Sequence, residues 1–149
     1  SLLPFLREQF ATHEIDPERV CFEVTETAAI RNISAAMQLI RAIREMGGKF
    51  ALDDFGSGLS SFAYLKTLPV NYLKIDGNLV RRIAEESEDR AMVEAVNQLA
   101  HRLGMQTVAE YVETTECMQV LREIGVDYAQ GFALAVPEEL PLKRVKSNV

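Results

Sequence analysis

The sequence predicts an α/β fold on three observations. Five short apolar runs of strand character recur along the chain, at 20–25, 49–52, 72–75, 106–109 and 128–134. Amphipathic helical stretches lie between them, and glycines close those stretches shortly before the next strand. Polar residues fall toward the C-terminal end of each run: Glu23, Asp53 with Asp54, Lys74, Glu110 and Gln130. Strands separated by helices pair in parallel through right-handed crossovers. In such folds, above all in (β/α)8 barrels, that rim of the sheet carries the chemistry.

Each element has its own signal. In the first strand Phe22 and Val24 oppose Glu23, so the carboxylate faces away from the helices. A helix over 33–46 sets Ala36, Leu39, Ile40 and Ile43 on one face; Asn32 or Ser34 caps it and Gly47 ends it. The second strand runs into Asp53-Asp54-Phe55-Gly56-Ser57-Gly58, two adjacent carboxylates followed by a glycine-bracketed turn. Adjacent acids repel unless a cation or a shared proton relieves them, although Asp and Gly also populate ordinary turns. In the third strand Tyr72, Lys74 and Asp76 share one face and Leu73 and Ile75 the other. The acidic run 85–89 marks a helix start with Ser87 as cap, and the helix at 91–103 carries Val96, Leu99 and Leu103 before Gly104. Thr114 caps the last helix and Gly125 ends it.

The chain has 149 residues, 48% hydrophobic and 26% charged, with a net charge of −6. That suffices for one packed domain and excludes the composition of disorder. The acidic balance argues against DNA or RNA polymers, which are held by clustered Lys and Arg. No run has the length of a membrane span and 1–6 lacks the features of a secretory signal, so a soluble, cytoplasmic segment without membrane contact is expected. Cys21 and Cys117 are expected as reduced core thiols. His13 and His101 are expected on helix or loop surfaces without a partner at ligand spacing, and Met37, Met46, Met92, Met105 and Met118 in or near the core.

The ordered set Phe22-Glu23-Val24-Thr25-Glu26, Asp53 to Gly58, Leu73-Lys74-Ile75-Asp76, Val108-Ala109-Glu110-Tyr111-Val112-Glu113 and Gln130-Gly131-Phe132 resembles the EAL domain of bacterial cyclic di-GMP phosphodiesterases. The resemblance implies that residues 1–149 form the C-terminal portion of a single such domain, about five βα units of a (β/α)8 TIM-like barrel, with 1–10 as the helix before the first strand here. The Glu-Ala-Leu strand and an Asn-bearing strand are absent, and Glu94-Ala95-Val96 falls in a helix. The same resemblance implies that Glu23, Asp53, Asp54 and Glu110 hold two Mg²⁺ or Mn²⁺ ions and that Lys74 orients the attacking water. Glu110 would contribute to the second ion or act as the base that deprotonates the water, Gln130 would order water, Glu26 would tether the loop after Asp54 and Glu113 would support the substrate end. Hydrolysis of cyclic di-GMP to linear pGpG by the intact parent domain follows, with the isolated fragment inactive and its open edges completed by homo-oligomerisation or by the rest of the domain. The alternative is a degenerate, non-catalytic cyclic di-GMP receptor or signalling module. A protein-kinase reading of Asp54-Phe55-Gly56 lacks a glycine-rich phosphate loop, a His-Arg-Asp loop and an upstream strand lysine.

Overall fold

The computed structural model describes residues 2–56 and 62–139; Ser57 and Gly58 of the glycine turn lie outside the described residues. Helix α1 (Leu2–Thr12) leads into β1 (Cys21–Thr25), α2 (Glu26–Arg31), α3 (Ile33–Glu45) and β2 (Lys49–Phe55). After a 3-10 turn at Phe62–Lys66 come β3 (Tyr72–Ile75), α4 (Gly77–Val80), α5 (Ser87–Arg102), β4 (Gln106–Ala109), α6 (Thr115–Ile124) and β5 (Tyr128–Ala129). The five strands form one parallel sheet in sequence order, with β1 and β5 at its edges. Among the described residues no helix is long and apolar enough to cross a membrane.

Local chemistry sets the boundaries. The Asn32 side chain accepts from the Ala35 N–H at 3.0 Å and starts α3; Thr114 does the same for Cys117 at 3.1 Å and starts α6. Gly125, at φ 83°, ends α6 in the left-handed conformation. Leu52, Phe55, Leu73 and Ile75 have no exposed surface, and they meet Ile40, Ile43, Val93 and Val96 from the helices. Each such side chain contributes about 1.5–3 kcal/mol relative to exposure, so the apolar face of the sheet fixes which face is left for polar groups.

Four expectations need correction. Helix α5 begins at Ser87, four residues before 91, and Glu86 holds the cap position without a side-chain hydrogen bond, so Ser87 is not the cap. Cys21 is exposed, because it shares the alternation of Glu23 and faces away from the core; Cys117 is buried. Met92 is 45% exposed, since α5 buries the stripe Val93, Val96, Asn97 and Ala100. The last strand stops at Ala129 instead of 134. His101 is exposed as expected, and its Nε2 lies 2.7 Å from Asp127 Oδ2.

That His101 contact belongs to a clasp at the opposite end of the sheet from the polar rim. Asp127 also accepts from the Thr107 N–H at 2.7 Å and the Thr107 hydroxyl at 3.1 Å. The buried Thr107 hydroxyl lies 2.6 Å from Asn97 Oδ1, and Asn97 donates to the carbonyls of Ile124 and Gly125. Partial burial raises the Asp127 carboxyl, but the Thr107 N–H, His101 and the Thr107 hydroxyl outweigh it and hold the group below its ordinary 3.8. A carboxyl lowered in the folded state stabilises above its unfolded pKa, and that stability is lost as pH falls through the folded value. Asp127→Asn is therefore expected to cost about 1 kcal/mol at pH 7, a difference that disappears in acid below pH 3.8. Thermal melts of both proteins from pH 2 to 7 check this; a penalty that persists in acid contradicts it.

The shortened β5 has a steric cause. A methyl group on Gly131 would lie 2.3 Å from both Val112 N and Val112 O. The chain turns there, Val112 N–H donating to Gln130 O and Ala133 N–H to Val112 O, both at 3.0 Å. Gly131→Ala is expected to lower stability by about 3 kcal/mol, the upper end for overpacking, because backbone cannot step aside. Urea unfolding measures it, and a loss under about 1 kcal/mol contradicts the packing.

Candidate metal and phosphodiester site

The site begins with an irregularity in β2. Leu52 pairs with Leu73, but the next partners are Phe55 and Ile75, so β2 spends three residues where β3 spends two. This bulge holds Asp53 and Asp54, with Asp54 at φ 56°. Adjacent residues of a regular strand point to opposite faces. The bulge removes that alternation and lets both carboxylates reach one place: ligand oxygens of Asp53, Asp54 and Glu110 lie within 4.8 Å of one another.

Lys74 stands at the centre of the cluster. Its Nζ lies 2.8 Å from Glu110 Oε1, 2.9 Å from Asp53 Oδ1 and 3.0 Å from Glu23 Oε2. Three ammonium donors meet three carboxylates, and the lysine side chain is 8% exposed. Burial opposes the charge on Lys74, but hydrogen bonds to Glu110, Asp53 and Glu23 outweigh it and raise its pKa. One ammonium cannot neutralise four carboxylates. Burial raises Glu110 above the ordinary glutamate value against the pull of Lys74, and Asp53 and Asp54 push it further. Burial, then the charges of Asp53 and Asp76, raise Asp54 too. An all-oxygen donor set with surplus negative charge fits a hard divalent cation, which would reverse the rise.

The supporting residues are less concentrated. Glu26 is buried at the first turn of α2, where helix polarity favours a carboxylate. It accepts from the Gly56 N–H at 3.1 Å and from the Tyr64 hydroxyl, tying the turn after the bulge to the 3-10 segment. Burial and the hydrogen bond to Glu26 raise the Tyr64 phenol. Gln130 borders two cavities, one lined with it by Lys74 and Glu23, the other by Glu110 and Glu113. Glu113 does not join the acid cluster; it lies 3.8 Å from the guanidinium of Arg81. Tyr64 and Arg81 were not legible as site residues, because their partners lie 38 and 32 positions away.

The EAL domain model matches residues 1–137. The cyclic di-GMP phosphodiesterase PdeB of Shewanella oneidensis is 42% identical over 93% of this chain, which spans only 16% of that protein. A PaMucR phosphodiesterase structure in complex with c-di-GMP superposes with a TM-score of 0.85 at 37% identity, covering 91% of this chain and 55% of the other. Klebsiella pneumoniae BlrP1, solved with cy-diGMP and either calcium or manganese, gives a TM-score of 0.82 at 34% identity over 88% of this chain and 33% of its own. These neighbours are EAL domains of TIM-barrel-like α/β architecture, and this chain spans about half or less of each of them. The bulged acid pair, the lysine it surrounds and the match over 1–137 lead to one assignment: the chain belongs to the EAL domain family.

Proposed function

We propose that this chain is the C-terminal portion of a metal-dependent phosphodiesterase domain that hydrolyses cyclic di-GMP to linear pGpG. One observation carries the reading: a lysine within 3.0 Å of three carboxylates, beside a cluster of three acids whose ligand atoms lie within 4.8 Å. Glu23, Asp53, Asp54 and Glu110 are proposed to hold two Mg²⁺ or Mn²⁺ ions. Such ions supply charge neutralisation for a phosphodiester and acidify water at the site. Glu110, 2.8 Å from the Lys74 ammonium, takes the proton of the attacking water. Lys74 orients that water and balances charge as it develops. The new bond joins water oxygen to phosphorus, the bond from phosphorus to the 3′ oxygen breaks in line, and that oxygen leaves with a proton from solvent. Gln130 orders the water, Glu26 fixes the turn after the bulge and Glu113 supports the substrate end.

The isolated chain is proposed to turn over little. Glu23 lies on edge strand β1 with its side chain 48% exposed, so the site is open on that side. The rest of the domain, or a second copy, is proposed to cover it. Two free cysteines support a reducing, cytoplasmic setting. The test supplies cyclic di-GMP and Mn²⁺ in ¹⁸O water to the full-length protein. A linear dinucleotide with one ¹⁸O on its terminal phosphate is expected; binding without turnover would identify a receptor instead.

A further inference from the structure

Glu26 is a buried carboxylate, 2% exposed, and among the described residues no cation pairs with it. Neutral donors hold it instead. Its Oε2 accepts from the Gly56 N–H at 3.1 Å, and its Oε1 accepts from the Tyr64 hydroxyl. A buried charged group that loses such a donor is left with a desolvation cost that nothing offsets.

The hydroxyl is a fixed point because the segment that carries it is anchored. Leu65 and Leu68 are buried at 0% and 2% exposure, and the Tyr64 carbonyl accepts from the Thr67 N–H at 2.9 Å and the Thr67 hydroxyl at 2.7 Å. The Phe62 ring lies 5.3 Å from that of Phe55, the last residue of β2. Burial and the bond to Glu26 raise the Tyr64 phenol above its ordinary 10.0, so the group keeps its proton and remains a donor at neutral pH.

At the other end of this relay the β2 bulge needs support. Asp54 at φ 56° and Gly56 at φ 94° are both left-handed, a conformation that costs the aspartate energy and persists only where surrounding contacts impose it. Two backbone contacts do so just beyond the acids: the Asp76 N–H donates to Phe55 O at 3.0 Å, and the Gly56 N–H donates to Glu26.

We propose that Tyr64 is a positioning residue for the metal ligands: its hydroxyl keeps Glu26 aimed at the Gly56 N–H, and that bond holds the bulge in which Asp53 and Asp54 meet Glu110. The inference rests on the phosphodiesterase reading above and adds a side chain that acts on the acid cluster through one carboxylate and one N–H. Partners of this kind, which orient groups that bind an ion, supply affinity by preorganisation.

The test is calorimetric titration of the full-length protein with Mn²⁺. Tyr64→Phe keeps the ring and its packing, so a cooperative melt is expected to persist. Its affinity for Mn²⁺ is expected to fall about tenfold, the lower end of what such orienting partners supply. At limiting Mn²⁺ its kcat should fall and recover as the ion is raised, with KM for cyclic di-GMP unchanged. Glu26→Gln alone is expected to weaken Mn²⁺ binding as well. Because Tyr64 acts through Glu26, adding Tyr64→Phe to Glu26→Gln is expected to cost less than about a further twofold, whereas independent sites would lose the full tenfold again. Unchanged Mn²⁺ affinity in Tyr64→Phe, or the full further loss in the double variant, overturns the positioning role and leaves the phosphodiesterase reading standing. An unaltered protein that binds Mn²⁺ but yields no linear dinucleotide overturns that reading, and one that binds no Mn²⁺ overturns both.

Discussion

Lys74→Ala, made in the full-length protein, is expected to lower cyclic di-GMP turnover by at least about 100-fold while Mn²⁺ binds as tightly or tighter. The two effects have opposite signs for one reason. Lys74 is the ammonium within 3.0 Å of Glu23, Asp53 and Glu110, so its loss leaves the acids with more negative charge to offer a cation. The same loss removes the group proposed to orient water and to balance charge at the phosphorus. Without added ions the variant is expected to be less stable by about 3 kcal/mol, because the crowded acids, the buried Glu110 among them, lose their counter-charge. In the parent protein Lys74 has a raised pKa, so its stabilisation is present below the ordinary 10.5 and is lost as pH rises through the folded value. In the variant, stability should return when Mn²⁺ is added or when pH falls enough to protonate the acids. Chemical denaturation with and without Mn²⁺ separates these outcomes, and a variant that is weaker in both metal binding and turnover contradicts this charge balance.

Asp53→Asn has the second large effect. Asp53 is both a partner of Lys74 at 2.9 Å and a member of the acid cluster that meets at 4.8 Å. Asparagine keeps the shape and one oxygen but removes a charge, so the bulge and the fold should persist while affinity for Mn²⁺ drops sharply. Turnover is expected to fall by at least about 100-fold, comparable with removal of one transition-state-stabilising group. Calorimetric titration with Mn²⁺ and melting curves measure the two sides. A variant that binds Mn²⁺ normally would remove Asp53 from the proposed ligands. Because Asp53 and Lys74 are in contact, the double variant should lose less than the sum of the two single losses.

The helices and most strands were legible because their signals are local. Asn32 and Thr114 cap helices, Gly125 ends one, and the stripe around Ile40 and Ile43 faces the core as the 3.6-residue period requires. The polar rim was legible for a related reason: strand alternation placed Glu23 and Lys74 on the face opposite Val24 and Leu73. Other features depend on contacts that sequence spacing does not encode. The convergence of Asp53 and Asp54 needs the bulge, which arises from pairing with β3 across 20 residues of separation. The end of β5 is set by Gly131 against Val112, and the partner of His101 lies 26 residues away. Cys21 shares the parity of Glu23 and so faces the open side, although an apolar run by itself predicts burial.

Chelation decides whether the acids around Lys74 form the proposed metal-dependent phosphodiester-cleaving site. Cyclic di-GMP hydrolysis by the full-length protein is followed after EDTA treatment and then through a stepwise return of Mn²⁺. No linear product is expected in EDTA, with recovery as Mn²⁺ is restored and no recovery in Asp53→Asn at the same ion concentrations. Hydrolysis that continues undiminished in EDTA, or that Mn²⁺ restores equally in Asp53→Asn, would contradict it.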